Sequence, residues 1–333
     1  MAGIYDSGAK IMADLVDQIA NTLISSADPI TGGFYWSNAD ATWNTTTRTG
    51  NSARRALVYN NPTTIPAESP IYLALEVINT STQVKANYSG GYTYYTQSKG
   101  LRATFSPTWD STGHTYSGTY QQSFIQYESA SYSYQNSNPG VGGDLATIMM
   151  TYYMWVESNG FVLITRPEPT GDPYQQSFIL VVERNTTKRY ADGQSNFYAF
   201  CWTNIFQSAW DAYPTAKHRT VMRPFAQQYP DTGNYDTETL SGAGISFLPL
   251  PSYYAYKSIG NGKVYYIKPI LHNHSGQMNP IMQAQLFFLW TESVGLIDGD
   301  IIAIQGQPVK YLCKSVDSPD SATRLTFAMK YLG

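Results

Sequence analysis

The chain has 333 residues and a formal net charge of −3, and only 14% of its residues are charged. A sequence with so little positive charge lacks the basic surface that attracts nucleic acid, so we expect no specific nucleic-acid partner. The unusual count is 28 tyrosines in a background rich in Ser, Thr, Asn, Gln and Gly. Because tyrosine packs a ring and keeps a polar tip, this composition favours sheets that face solvent or another subunit over a metabolic enzyme.

The first predicted element is an amphipathic helix over residues 7–25. Apolar residues recur there at helical spacing, with polar residues on the opposite side. The apolar stripe consists of Ile11, Met12, Leu15, Val16, Ile19, Ala20, Leu23 and Ile24. Asp6 or Ser7 would cap the start of this helix. Such a stripe has to be covered, either by a sheet of the same chain or by a neighbouring copy.

A tyrosine-rich β lobe is predicted after the helix. Residues 32–61 are polar and turn-rich, strands are expected at residues 71–78, 90–95 and 101–105, and tyrosines recur over residues 108–138. Residues 139–144, Pro-Gly-Val-Gly-Gly-Asp, form the clearest break in the chain. We therefore divide the chain into an N-terminal helix (1–30), this lobe (31–143) and a second β lobe (144–333).

The most strand-like stretch is residues 148–184. An apolar and aromatic run over residues 148–156 has the length of one buried strand. Asn159-Gly160 then fits a two-residue hairpin turn, because both residues accept positive φ. A return strand begins at Phe161, a proline-containing loop follows, and residues 177–183 form a third strand. The sequence therefore predicts a three-stranded antiparallel meander.

Parts of this meander recur elsewhere in the sequence. Residues 287–297 match residues 152–162 in character, and both contain Trp-x-Glu-Ser-x-Gly, which predicts two similar hairpins. Residues 120–125 and 174–179 are both Tyr-Gln-Gln-Ser-Phe-Ile. The two repeats have different periods, so they do not indicate a solenoid. Internal duplication of a β unit and convergence of strand-turn-strand sequences both account for them.

The remainder of the chain also reads as short strands separated by turns. Residues 197–210 fit a strand or a helix, and residues 214–251 are rich in proline and loops. Further strands are predicted at residues 264–271, 284–290, 301–304, 309–315 and 325–330. This pattern predicts a mainly β protein, with antiparallel β-sandwich or barrel-like lobes and one N-terminal amphipathic helix.

The sequence contains no motif that identifies a catalysed reaction. We therefore expect neither enzymatic activity nor a cofactor. His272 and His274 share one side of a strand, but a metal site needs further ligands and none lies nearby in the sequence. Glu157 and Glu292 occupy equivalent turns, so each is expected to cap its own turn instead of joining a glycosidase pair. Asp298-Gly299-Asp300 is typical of a hairpin turn.

The sequence also allows predictions about the cellular compartment of the protein. Cys201 and Cys313 are too few and too far apart to indicate a disulfide framework. Two free buried thiols are expected, and a single disulfide between them is the alternative. No apolar run approaches the ~20 residues that cross a bilayer, so no membrane span is expected. Residues 1–14 lack the apolar segment of a secretory signal, which predicts synthesis in a cytoplasm.

Aromatic residues in polar loops are the candidate binding residues. They are Trp36, Trp43, Trp109, Tyr132 and Tyr134. Such rings stack on sugar faces in carbohydrate-binding surfaces, and they also anchor subunit interfaces. As an assembly interface we predict the helix stripe with the tyrosine-studded loops: Ile11, Leu15, Ile19, Leu23, Trp36, Trp43, Tyr132 and Tyr134.

Three stretches resemble virion structural proteins of tailed bacteriophages. The first is Tyr5-Asp6-Ser7-Gly8 running into the helix, and the second is the aromatic strand and Asn-Gly turn at residues 153–162 with the proline loop and Tyr174. The third is the C-terminal end, with Gly299-Asp300-Ile301-Ile302, residues 309–312 and residues 327–331. Together they cover about a third of the chain.

This resemblance implies a non-enzymatic subunit of the tail, neck or baseplate. Its partners would be identical copies in a ring and other virion proteins, and it would be located in the virion after assembly in the host cytoplasm. The resemblance carries no active-site residues. The alternative is a glycan-binding adhesin or receptor-binding module, and a hydrolase ranks below both.

Overall fold

The structure is a computed structural model. It describes residues 3–30, 32–44, 53–59, 70–88, 91–106, 108–116, 121–129, 149–158, 160–167, 178–184, 197–204, 217–222, 245–248, 270–273, 279–283, 286–291, 297–304, 306–315 and 325–332.

Within these residues the chain is mainly β, with antiparallel sheets and one helix, as the sequence predicts. In chain order the elements are β1 (Ile4–Ile11), α1 (Met12–Ser25), β2 (Trp36–Asn38), β3 (Arg54–Tyr59), β4 (Ile71–Tyr88), β5 (Gly91–Ser106), β6 (Gln121–Ser129), β7 (Met149–Glu157), β8 (Gly160–Pro167), β9 (Phe178–Arg184), β10 (Phe197–Asn204), β11 (Lys217–Met222), β12 (Ile245–Leu248), β13 (Ile270–Asn273), β14 (Asn279–Gln283), β15 (Phe287–Thr291), β16 (Ile301–Ala303), β17 (Lys310–Ser315) and β18 (Leu325–Tyr331).

The central sheet contains the predicted meander. Its strand order is β1-β7-β8-β9-β10-β11, so β7, β8 and β9 are consecutive antiparallel neighbours. Glu157 pairs with Gly160 across the hairpin turn, and Gly160 has a φ of +142° that disfavours other residues. A side chain at Gly160 would also collide with the Val182 carbonyl oxygen of β9. The glycine therefore allows three strands to meet closely at this corner.

The predicted helix start was wrong. Residues 4–11 form β1, which pairs with β7 from Ile4 opposite Val156 to Ile11 opposite Met149, and the helix begins at Met12. Strand pairing gives these backbone groups partners that a helix end would leave unsatisfied, which overrides the local helical periodicity. Asp6 does not cap the helix: its carboxylate accepts hydrogen bonds from Gln18 (2.8 Å) and Thr22 (2.7 Å) in the middle of α1.

Several predicted strands are longer than the sequence pattern indicated. The strand predicted at residues 71–78 extends to Tyr88 as β4, and the two predicted at residues 90–95 and 101–105 are one strand, β5. The five-stranded sheet has the order β2-β3-β4-β5-β6. Residues 197–204 of the ambiguous stretch are strand β10.

One apolar core joins the helix to two sheets. Helix α1 packs against β1 and β7 of the central sheet and against β2, β3 and β4 of the five-stranded sheet. Alternate residues of β7 enter this core, which is why they recur at a period of two. The core residues of the meander are Met150, Tyr152, Met154, Val156, Phe161, Leu163, Leu180 and Val182. Residues on both sides of the predicted boundary at 139–144 contribute to this core, while the boundary itself lies outside the described residues.

The C-terminal sheet, whose order is β15-β18-β17-β16, contacts the other face of the central sheet. Lys330 of β18 donates to Glu157 (2.6 Å), and Arg166 of β8 and Lys314 of β17 both donate to Asp298 (3.1 and 3.2 Å). The Lys314 ammonium also lies 4.1 Å from the Tyr153 ring centre. On this face of β7, Met149 is exposed and Thr151 and Tyr153 are half-buried, whereas Trp155 and Glu157 are buried. Both faces of the strand are therefore covered only towards its C-terminal end.

The second predicted hairpin does not repeat the pairing of the first. Strand β15 pairs with β18, which comes from the end of the chain, whereas β7 pairs with the strand that follows it. The turn residues 292–296 lie outside the described part, so internal duplication stays a prediction. Asp298-Gly299-Asp300 forms the predicted turn, with Gly299 at a φ of +93°.

Candidate functional site

A cluster of three rings lies on the outer face of the five-stranded sheet. We call Trp43, Trp109 and Tyr116 the aromatic cluster: the Trp43 and Trp109 ring centres are 5.2 Å apart, and Trp109 and Tyr116 are 5.9 Å apart, both edge to face. The rings pack over Ala56 and Ala74, which are direct neighbours on β3 and β4. These small side chains leave room for large rings to cover the sheet.

The buried carboxylate of Asp40 holds the aromatic cluster together. Its Oδ1 atom accepts from the backbone and hydroxyl of Thr42 (3.1 and 2.7 Å) and from the backbone N–H of Trp43 (2.9 Å). Its Oδ2 atom accepts from the indole N–H of Trp109 (3.1 Å) and faces Nδ1 of His114 (2.7 Å). One carboxylate therefore connects the turn at residues 40–44 to the loop at residues 108–116.

These hydrogen bonds set the ionisation of Asp40. Burial alone would raise the pKa of Asp40, but the bonds from His114, Thr42, the Trp43 backbone and the Trp109 indole favour the charged form and hold its pKa well below the usual range. The carboxylate is therefore charged throughout the physiological pH range.

Acid is expected to weaken the fold through Asp40. Because its folded-state pKa is depressed, its contribution to stability is complete above the unfolded value of about 4 and is lost as pH falls towards the folded value. The unfolding free energies of wild type and Asp40→Asn should differ by a constant amount above about pH 5 and converge below about pH 4. Urea unfolding followed by tryptophan fluorescence from pH 2.5 to 7 measures this. Asp110→Asn, at an exposed carboxylate on the loop at residues 108–116, is the control, and a difference unchanged down to pH 3 would contradict the prediction.

His114 is held in an unusual way. Its backbone has a φ of +52°, a left-handed conformation that few residues other than glycine adopt. Its side chain is 40% exposed while the facing Asp40 side chain is buried. With Nδ1 directed at the carboxylate, the Nε2 atom is on the opposite side of the ring and can accept or donate one further hydrogen bond.

Arg54 borders the aromatic cluster. Its guanidinium carbon lies 5.1 Å from the Trp43 ring centre, a cation–π contact, and its Nε atom donates to the Trp43 backbone oxygen (2.6 Å). Asn44 joins the same region, since its side-chain oxygen accepts from the Ala56 backbone (3.0 Å). The turn that carries Trp43 is therefore fixed to β3 at several points.

The residues predicted to form the assembly interface do not lie together on one exposed surface. Leu15, Ile19 and Leu23 are buried in the chain's own core, so the helix stripe is covered by its own sheets and these side chains offer no exposed surface to a neighbouring copy. Ile11 ends β1 and is half-buried. The helix stripe is buried because α1 contacts both the central sheet and the five-stranded sheet.

The aromatic residues predicted to bind a partner also lie in different parts of the structure. Trp36 is buried between the five-stranded and central sheets, against Tyr59 and Phe161, whereas Trp43 and Trp109 belong to the aromatic cluster. Tyr132 and Tyr134 lie outside the described residues. Asp40, His114 and Tyr116 were not predicted as site residues. The Asp-x-Thr-Trp sequence at residues 40–43 was an available signal, because aspartate at that spacing caps a turn.

Among the other candidate residues, Glu157 has structural partners. It is buried and accepts from the Trp155 indole (2.9 Å) and from Lys330 (2.6 Å). His272 belongs to β13, and His274 and Glu292 lie outside the described part. Cys313 is a buried free thiol whose pKa is raised by burial, and the Cys201 side chain is not described. In the portion of the chain with described side chains, no three His, Cys, Asp or Glu residues are grouped as metal ligands.

Large apolar side chains are exposed at two turns. Ile30 is 91% and Phe34 58% exposed at the turn after α1, where Asp28 accepts a hydrogen bond from the Ile30 backbone (2.7 Å). Ile297 is 63% exposed at the turn before the edge strand β16, and Ile301, the first residue of β16, is 51% exposed. Bonds from Gly32 to Asp28 and from Asp28 to Gly33 (both 2.8 Å) stiffen the first of these turns.

No protein-family model matches the chain, and no curated protein matches it at a significant level. Among the described residues, no helix has both the length and the apolar character that crossing a membrane requires.

Proposed function

We propose that the chain is a non-enzymatic structural subunit of a tailed-phage particle, which assembles in the host cytoplasm with identical copies and with other virion proteins of the tail, neck or baseplate. The resemblance of the opening residues, the meander and the C-terminal end to such proteins supports this proposal. The mainly β, antiparallel architecture is compatible with it.

The observation that carries the proposal is the pair of exposed apolar turns. Single exposed apolar residues are common on monomers, but Ile30 and Phe34 are both exposed on one turn whose backbone is held by hydrogen bonds. Ile297 and Ile301 are both exposed where a second turn leads into β16. A subunit with two different contact surfaces can join head to tail, and such contacts close into a ring when the rotation between copies allows it.

The function of such a subunit is mechanical. Each interface in a ring would bury at least about 1,000 Å², and repeated contacts make the whole assembly far more stable than one contact alone. The apolar core shared by α1, the central sheet and the five-stranded sheet gives the subunit a rigid centre, so force applied at one interface reaches the next with little deformation.

Assembly can be measured directly on purified protein. We expect light scattering and negative-stain electron microscopy to show rings or larger oligomers of wild type. The double variants Ile30→Asp with Phe34→Asp, and Ile297→Asp with Ile301→Asp, should each shift the distribution towards monomers, because a charge is costly to bury in an interface. Ser111→Asp, which adds a charge to an exposed position elsewhere, is the matched control. A wild-type chain that stays monomeric at high concentration and is absent from purified virions would refute the proposal.

A further inference from the structure

We propose that the surface built from the turn at residues 40–44 and the loop at residues 108–116 binds a saccharide. The Trp109 and Tyr116 rings would contact the apolar face of a sugar ring, and Nε2 of His114 would form a hydrogen bond with a sugar hydroxyl. This role is additional to assembly, since the two exposed apolar turns involve other residues.

The first support is that the aromatic cluster is fixed before any ligand arrives. The Trp109 indole N–H is already bonded to Asp40, and its ring packs against Trp43 and Tyr116. A ligand that covers Trp109 therefore does not remove an N–H from water. Because the rings are held in place, binding loses little side-chain entropy.

The second support is the presentation of His114. Trp43 is buried, and packing on Ala56 and Ala74 is enough to explain its position. The same packing does not explain why the His114 imidazole is exposed. His114 adopts a left-handed backbone, and such conformations in residues other than glycine concentrate at functional sites. The bond to Asp40 orients the imidazole and leaves Nε2 for an outside partner.

The third support is the chemistry around the rings. Ser111, Thr112 and Thr115 are exposed on the same loop and carry hydroxyl groups that can donate or accept. Arg54, the nearby cation, has its guanidinium over Trp43 and bonded to the Trp43 backbone. Rings beside neutral hydroxyls and one imidazole match the alternating apolar faces and hydroxyl edges of a neutral sugar better than an anion.

The test is binding of labelled full-length protein to a microarray of bacterial surface polysaccharides and of plant and animal glycans. Bound glycans are then titrated against wild type by tryptophan fluorescence. We expect Trp109→Ala and His114→Gly each to weaken binding about tenfold or more, which corresponds to the loss of one well-placed contact. Glycine adopts the backbone of residue 114 without strain, so His114→Gly removes the imidazole and its bond to Asp40 without a backbone penalty. Leu332→Ala, at a 52% exposed side chain outside the site and outside both apolar turns, should bind like wild type.

Two results would overturn the proposal: wild type binding no glycan on the array, or Trp109→Ala and His114→Gly binding as tightly as wild type. Thermal unfolding verifies that each variant is folded, and if Trp109→Ala unfolds, His114→Gly decides the matter. Light scattering on the same samples reports assembly separately, so loss of sugar binding and loss of oligomers are distinguishable.

Discussion

Replacing Trp36 by alanine is expected to lower the free energy of unfolding by about 3–5 kcal/mol. Trp36 is fully buried, with its ring 5.0 Å from that of Tyr59 on the same sheet and 5.6 Å from that of Phe161 on the central sheet. Its removal would leave a cavity between two sheets whose backbones are fixed by strand pairing, so the cavity cannot close fully. Urea unfolding monitored by far-UV circular dichroism measures the loss.

A phenylalanine at residue 36 is the matched control. The Trp36 indole N–H is buried without a hydrogen-bond partner among the described residues, so Trp36→Phe removes this unsatisfied donor while it keeps an aromatic ring. We expect Trp36→Phe to be clearly more stable than Trp36→Ala. Equal losses in the two variants would mean that the ring does not support the contact between the sheets.

Replacing Lys330 by methionine is expected to cost about 3–5 kcal/mol, because the buried Glu157 carboxylate would lose its positive partner. The Lys330 ammonium lies 2.6 Å from Glu157 and 5.9 Å from the Trp155 ring centre. The Trp155 indole would remain as a donor to Glu157, but a neutral donor does not balance a buried charge. Thermal and urea unfolding at neutral pH measure the effect.

Two further variants isolate this charge effect. Adding Glu157→Gln to Lys330→Met removes the unpaired charge and should recover part of the stability. Lys310→Met, at an exposed lysine of the neighbouring strand β17, should change stability by less than about 1 kcal/mol. If Lys310→Met and Lys330→Met had equal effects, the pair with Glu157 would not hold the C-terminal sheet in place.

Local patterns in the sequence predicted the architecture where they agreed with the tertiary structure. The apolar run before Asn159-Gly160 and the strand after it predicted the meander correctly, since a hairpin depends on neighbouring residues. Residues 7–11 were misassigned because their partner, β7, is far away in the sequence, and strand pairing at that distance leaves no local trace. The helical periodicity was real from Met12 onwards and correctly predicted a buried stripe.

The candidate site was less predictable for a related reason. Trp36, Trp43 and Trp109 look alike in sequence, as aromatic residues in polar surroundings, yet Trp36 lies inside the core and the other two lie on the outer face of a sheet. The face on which a strand residue lies depends on register, which a single sequence does not specify. Asp40 and His114 meet only because two separate segments fold onto the same sheet.

The position of β1 constrains the order in which the protein can be built on the ribosome. Ile4 pairs with Val156, so an early segment of the nascent chain has no partner until the strand Met149–Glu157 has been synthesised. During that interval helix α1 also lacks the part of its covering that β7 provides. Such delayed closure makes folding slow and exposes the growing chain to aggregation, so production of soluble protein should benefit from slower translation or lower temperature.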